Sequence, residues 1–96
     1  MEVVWSKSAE RELKRAFDFI RLDSKINALK VIEILVKMTL EIPKHPTKYS
    51  PDKYKKNNNG DWRAFEKLSF RVSYRITSNQ IRIVRFRHTS RNPMMY

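Results

Sequence analysis

The chain has 96 residues, no cysteine, 41% apolar residues and a formal net charge of +11. That length accommodates one domain, read here as 1–96, around a single thin core, and without thiols there is neither a disulfide framework nor a thiolate zinc site, so a reducing cytoplasm is the natural home. The opening MEVVWSKSAERELKR lacks the apolar run of a signal peptide, and no stretch approaches the roughly 20 apolar residues that span a bilayer; a soluble, cytoplasmic protein is expected.

Val3 to Trp5 is a short β-prone opening. Ser6 or Ser8 then offers a side-chain oxygen to cap a helix with Glu10 and Glu12 in its first turn and Leu13, Ala16, Phe17 and Ile20 at helical spacing. Asp23 or Ser24 caps a second helix that ends before Pro43, with Lys30, Glu33, Lys37 and Glu41 as its narrow polar stripe. So apolar a helix is expected to be covered over most of its circumference by the first helix and a sheet.

From Pro43 to Asp61 the composition turns to Pro, Lys, Asn and Tyr, which reads as a long loop with a functional role. Phe70, Val72, Tyr74 and Ile76 then alternate with Arg71, Ser73 and Arg75 in a half-buried strand, and Ser78-Asn79 fits a tight turn into the next. In Gln80 to Arg87 the alternation slips phase between Ile83 and Val84, as a bulge or a strand covered on both faces would make it do. The elements define an α+β fold: two antiparallel N-terminal helices on one face of a small, mainly antiparallel twisted sheet, with the first strand beside the later ones.

The charge is one-sided. Residues 1–43 carry eight Lys/Arg against seven Asp/Glu, whereas residues 44–96 carry thirteen against three. Such an excess points to a polyanion. If Phe70, Val72 and Tyr74 face the helices, period-two geometry sends Arg71, Ser73 and Arg75 to an open, basic face. The polar loop and the tail RHTSRNPMMY border that face, bringing Asp52, His88 and Tyr96 within reach of it. Such a set suits acid/base work on a phosphodiester: Asp52 or His88 removing a ribose 2′-hydroxyl proton, arginines neutralising the phosphate, His88 or Tyr96 assisting the leaving oxygen. Each residue also has a plainer reading. Arg71 can be an exposed strand residue, Asp52 ordinary turn chemistry after Pro51, His88 a structural imidazole, Lys53, Lys55 and Lys56 a solvated loop, and Trp62 and Tyr74 core aromatics rather than stacking platforms. His45 and His88 without a thiol make a poor metal site, and no cofactor is expected.

The order helix, helix, basic loop, three strands, with VVWSKSAERELKRAF, GDWRAFEKLSFRVSYRI and RIVRFRHTSR, resembles the RelE/ParE toxin superfamily of bacterial type II toxin–antitoxin systems over essentially the whole chain. The nearest mechanistic comparison is to YoeB-type members, which cleave mRNA in the ribosomal A site. Their Pro-Glu, Gly-x-Trp and Arg-x-x-Tyr segments resemble Pro51-Asp52, Gly60-Asp61-Trp62 and Arg71-Val72-Ser73-Tyr74. The resemblance implies Asp52 as carboxylate base, Arg71 as phosphate-binding arginine, and His88 and Tyr96 as further catalytic groups, although Asp replaces Glu and Tyr96 lies eight residues beyond His88. Lys53, Lys55, Lys56, Arg63, Arg85, Arg87 and Arg91 would bind RNA on the ribosome. An acidic antitoxin is the implied partner, lying near Arg71, Arg85, Arg87 and Arg91. The implied function is a metal-independent, ribosome-dependent endoribonuclease. ParE-type members share the fold and the arginine-rich end yet inhibit DNA gyrase, which is the alternative. A non-catalytic basic nucleic-acid-binding domain is a third, disfavoured by the absence of an RNP or helix-turn-helix pattern.

Overall fold

A computed structural model describes residues 1–96. In chain order it holds β1 (Glu2–Trp5), α1 (Lys7–Arg21), α2 (Lys25–Glu41), a 3-10 turn (Ile42–Lys44), β2 (Trp62–Lys67), β3 (Phe70–Ile76) and β4 (Gln80–His88). Of the alternative caps, Ser6 and Ser24 are used: each side-chain oxygen accepts from the backbone N–H three residues on, Ala9 at 3.0 Å and Asn27 at 3.1 Å, satisfying donors the first turn leaves orphaned. α2 stops where Pro43 has no N–H to offer, and the 3-10 turn buries Ile42.

The sheet is mixed, in the order β1-β4-β3-β2. β1 runs parallel to β4, with Val3 opposite Ile81 and Trp5 opposite Ile83, while β2–β3 and β3–β4 are antiparallel. The phase slip in β4 is a bulge: Ser73 pairs with Arg85 and Tyr74 with Ile83, leaving Val84 without a partner residue. The extra residue lets Ile81, Ile83 and Phe86 all face the core with Phe65, Phe70, Val72 and Tyr74. α1 lies over β4 and α2 packs beside α1, bringing Val31, Leu35 and Met38 into that cluster. α2 is less covered than its composition implies. Ile26, Leu29, Ile34 and Leu40 stay exposed, because α1 rather than the sheet is its main neighbour and one helix covers only one stripe of another. No helix is long and apolar enough to cross a membrane.

Candidate functional site

The loop between the 3-10 turn and β2 is held by side-chain bonds to its own backbone. Asn58 Nδ2 donates to the carbonyls of Asp52 (3.3 Å) and Trp62 (2.7 Å), while its Oδ1 accepts from the N–H groups of Gly60 and Trp62. Gly60 itself sits at φ +102°, a conformation that disfavours any side chain. Arg63 Nε donates to the Gly60 carbonyl and Nη1 to those of Tyr49 and Thr47. Tyr74, fully buried, donates its hydroxyl to the Pro46 carbonyl at 2.7 Å. The loop therefore has little freedom, and Asp52 N–H joins the sheet margin by donating to the Trp62 carbonyl at 2.8 Å.

Asp52 is 2% exposed and has both carboxylate oxygens occupied. Oδ1 accepts from Arg71 Nη2 at 2.9 Å and from the Tyr54 N–H at 3.0 Å, and Oδ2 accepts from the Tyr96 hydroxyl at 2.6 Å. Burial alone would push this carboxyl up, but the bonds from Tyr96, Arg71 and Tyr54 and the charge of Arg71 outweigh it and hold it below the ordinary carboxylate range. Arg71 spends its other terminal nitrogen on Glu66 at 2.9 Å and lies over the Tyr54 ring, leaving its buried Nε without a partner. Burial works against its charge; the two carboxylates more than offset that and raise its basicity further.

The tail closes over this cluster. Tyr96 N–H donates to the Tyr54 carbonyl, Lys56 N–H donates to the Tyr96 carbonyl, and Arg85 donates to the Met94 carbonyl while its guanidinium stacks on the Tyr96 ring at 4.3 Å. Arg71, Ser73 and Arg75 do lie on the face away from the helices, as the strand period requires. That face is not open at its centre, however: Ser73 is 4% exposed under the tail and loop. The tail can lie there because Tyr96 gains a carboxylate, two backbone bonds and three aromatic or cationic neighbours, Trp62, Arg85 and Lys55, at once. Trp62 is on the same face, half-buried between Lys55 and Arg75 rather than in the core, whereas Tyr74 is a core residue.

Asp52, Arg71 and Tyr96 are thus brought into direct contact, and His88 is not. His88 pairs with Phe70 across β3–β4 and meets its ring edge-on at 5.2 Å, so it shares the helix-side face with Phe70 and Phe86. At the end of β4 the imidazole also borders the cavity lined by Tyr54 and Arg71, without a bond to the Asp52 cluster. His88 Nδ1 is engaged locally, accepting from the Ser90 N–H at 3.1 Å with Ser90 Oγ at 2.7 Å.

Among the residues read as RNA-binding, Arg63 is on the helix-side face, opposite Tyr74, with its guanidinium consumed by loop carbonyls. Arg85 and Arg87 are on the far face; Arg87 lies opposite Arg71, and burial and the charges of Arg85 and Arg91 press its basicity down. Arg91 pairs with Glu12. Lys53 lies over Tyr54, Lys55 over Trp62 and Tyr96, and Lys56 is exposed. Sequence reading passed over Glu66, Glu12, Tyr54 and Asn58. None carried a usable signal: Glu66 comes opposite Arg71 only through a two-residue turn at Leu68-Ser69, which no Asn or Gly marks.

Comparison with known proteins gives a family. The model described as "ParE toxin of type II toxin-antitoxin system, parDE" matches residues 3–93. No curated protein matches the chain. Among solved structures, one titled "Chromosomal ParDE TA system from P. aeruginosa" superposes with a TM-score of 0.70 at 19% identity, covering 92% of this chain and 95% of that one. At that identity the likeness is one of fold.

Proposed function

The chain belongs to the ParE toxin family of type II toxin–antitoxin systems, and from that membership we propose that it inhibits its target by binding it, with DNA gyrase as the target, rather than by cleaving mRNA. The observation that carries the reading is the burial of the candidate base, Asp52, with both carboxylate oxygens bonded inside the protein. Asp52 is buried under Tyr96 and Arg71, and His88 is on the helix side with Phe70. A general base must come within hydrogen-bond reach of the proton it removes. Both Asp52 oxygens are already bonded within the protein, so a 2′-hydroxyl would have to displace Tyr96, Arg71 or the Tyr54 N–H to reach one. The arrangement instead suits a rigid scaffold that presents charge and shape to a protein.

The endoribonuclease reading has one observation in its favour: His88 is exposed and shares a cavity of about 110 Å³ with Arg71, Arg87 and Arg91, cations suited to a phosphate. The two readings part in one experiment. Purified protein is added to gyrase with relaxed plasmid and, separately, to a translating bacterial extract in which mRNA ends are mapped. The expected outcome is loss of supercoiling with mRNA intact; mRNA cut in the extract with supercoiling unaffected would replace this proposal by the nuclease.

A further inference from the structure

α2 carries a second apolar row that its own fold leaves uncovered. Ala28, Leu35 and Thr39 are buried on one side of the helix, toward α1 and the core. On the other side Ile26, Leu29, Val36 and Leu40 line up; Ile26 is 69% exposed, Leu29 51% and Leu40 59%, with Val36 half-buried. Glu33, exposed, fills the gap in the row. From Ile26 through Leu29, Glu33 and Val36 to Leu40 the steps are three, four, three and four residues, the alternation that keeps one seam turned toward a neighbouring helix. At 3.6 residues per turn these five positions fall within about 80° of the circumference. Lys30 and Lys37, both exposed, flank the seam on one side. A helix this apolar all round is ordinarily buried all round, and here nothing in the chain covers the row.

We propose that this seam joins two copies of the chain, α2 against α2 and antiparallel, about a two-fold axis. A seam of alternating three and four is complementary to itself, so one patch serves both sides of an isologous contact. Charge selects the same occupant. Residues 1–43 are nearly neutral, with eight Lys/Arg against seven Asp/Glu, whereas residues 44–96 carry thirteen against three. Arg71, Arg75, Arg82 and Arg87 form opposed pairs on the face turned away from the helices, so copies meeting there would repel. Copies joined through α2 keep those faces outside. The direction follows from Glu33. Parallel pairing stacks each position on itself and sets Glu33 against Glu33, whereas antiparallel pairing sets it against an apolar residue of the partner copy, with Lys30 and Lys37 alongside. A charge in the seam fixes register at a cost in stability, so the dimer is weak, in the micromolar range. The proposal is independent of the toxin's target.

The test uses the full chain by itself. Sedimentation equilibrium should show a monomer–dimer transition that tightens with added salt, because each copy carries +11 and screening weakens their repulsion. Leu29→Glu should weaken the dimer by about tenfold or more, as loss of an anchor does. Glu33→Leu, which takes the charge out of the seam, should tighten it by about the same factor. Leu68→Ser, an exposed apolar position in the β2–β3 turn, should leave it unaltered. Should Leu29→Glu fail to fold by circular dichroism, Leu40→Glu, at the other end of the row, decides. A wild-type chain still monomeric at about 1 mM overturns the proposal and leaves the row to a different protein. A dimer that neither seam variant moves, or that Leu68→Ser breaks equally, overturns the seam. The chain has no cysteine, so engineered thiols report direction without interference. Lys25→Cys mixed with Glu41→Cys should crosslink as mixed pairs; crosslinking of each variant with itself instead overturns the antiparallel order.

Discussion

The Tyr96 hydroxyl donates to Asp52 Oδ2 at 2.6 Å, joining the last residue of the chain to the middle of the long loop. The bond is charge-assisted and largely shielded from water, so it contributes more than an exposed hydroxyl contact would. It also sets the order of the cluster: Tyr96 holds one oxygen, which leaves the other to Arg71 and the Tyr54 N–H. Tyr96→Phe keeps the ring on Arg85 and Trp62 and removes only that bond. A loss of about 1.5–3 kcal/mol is expected. Urea unfolding against wild type measures it, and a loss below a few tenths of a kcal/mol would mean that the tail is not locked in solution.

The same cluster sets an acid limit on stability. Because the native Asp52 carboxyl is held below its ordinary range, its contribution is fully present above the unfolded value of about 3.9 and drains away as pH falls through the lower native value. Asp52→Asn should therefore flatten the stability profile below pH about 4. At the other end burial pushes the Tyr74 hydroxyl up to about 12, and burial with the Asp52 carboxylate raises Tyr96 as well. Both contributions are intact below the unfolded tyrosine value of about 10 and are lost as pH climbs toward the native ones. Absorbance at the tyrosinate band during an alkaline titration, paired with circular dichroism, should show two tyrosines ionising late and together with unfolding.

Arg63 offers a third measurement. Its guanidinium spans carbonyls from residues 47 to 60 with a planar fork that an ammonium cannot reproduce. Arg63→Lys, which keeps the charge, should cost about 1–2 kcal/mol and speed amide exchange from residues 45–61 more than from β3. Were Arg63 a surface cation serving RNA, the same variant would leave both unchanged.

How far the sequence alone could reach is clearest in the β strands. Period-two alternation correctly separated Tyr74 from Arg71, and of the two explanations left open for the phase slip at Ile83-Val84 the bulge is the one found, because both signals are local properties of one strand. The β2–β3 turn was illegible. Leu68 and Ser69 adopt φ of 54° and 68°, positions that tight hairpins usually give to Asn-Gly, so no turn residue announces the register that sets Glu66 beside Arg71. The candidate site was half legible for a related reason. Family spacing pointed to Asp52 and Arg71, and the tail's position beside the basic face to Tyr96, against the family spacing; but His88 follows Phe86 by two and packs on Phe70, a consequence visible only once the bulge is fixed at Val84. The exposed apolar flank of α2 is a tertiary fact with no local signal. One prediction follows from the turn: Leu68→Asn with Ser69→Gly should stabilise the chain by about 1–3 kcal/mol through relief of left-handed strain, read as a rise in the urea midpoint.

The Arg71 cluster separates a structural role from a catalytic one. If Arg71 served chemistry alone, Arg71→Ala would cost rate and little folding. Here it neutralises a carboxylate that is 2% exposed, so Arg71→Ala strands that charge and should destabilise by about 3 kcal/mol, at the lower end for a broken buried pair, since tail and loop can admit water. Replacing the whole cluster behaves differently. In Asp52→Leu, Arg71→Met, Tyr96→Phe together no buried charge or buried hydroxyl donor is left unpaired, and apolar replacements of buried ion pairs are often neutral or stabilising; the outlay is the Tyr54 N–H bond, about 1 kcal/mol. Glu66, with a side chain 53% exposed, is free to turn to water. The triple variant should then fold near wild-type stability and still block supercoiling by gyrase. A triple variant that folds, is inert toward gyrase and has lost growth inhibition would place the toxic activity in the Asp52, Arg71, Tyr96 cluster itself and end the scaffold reading.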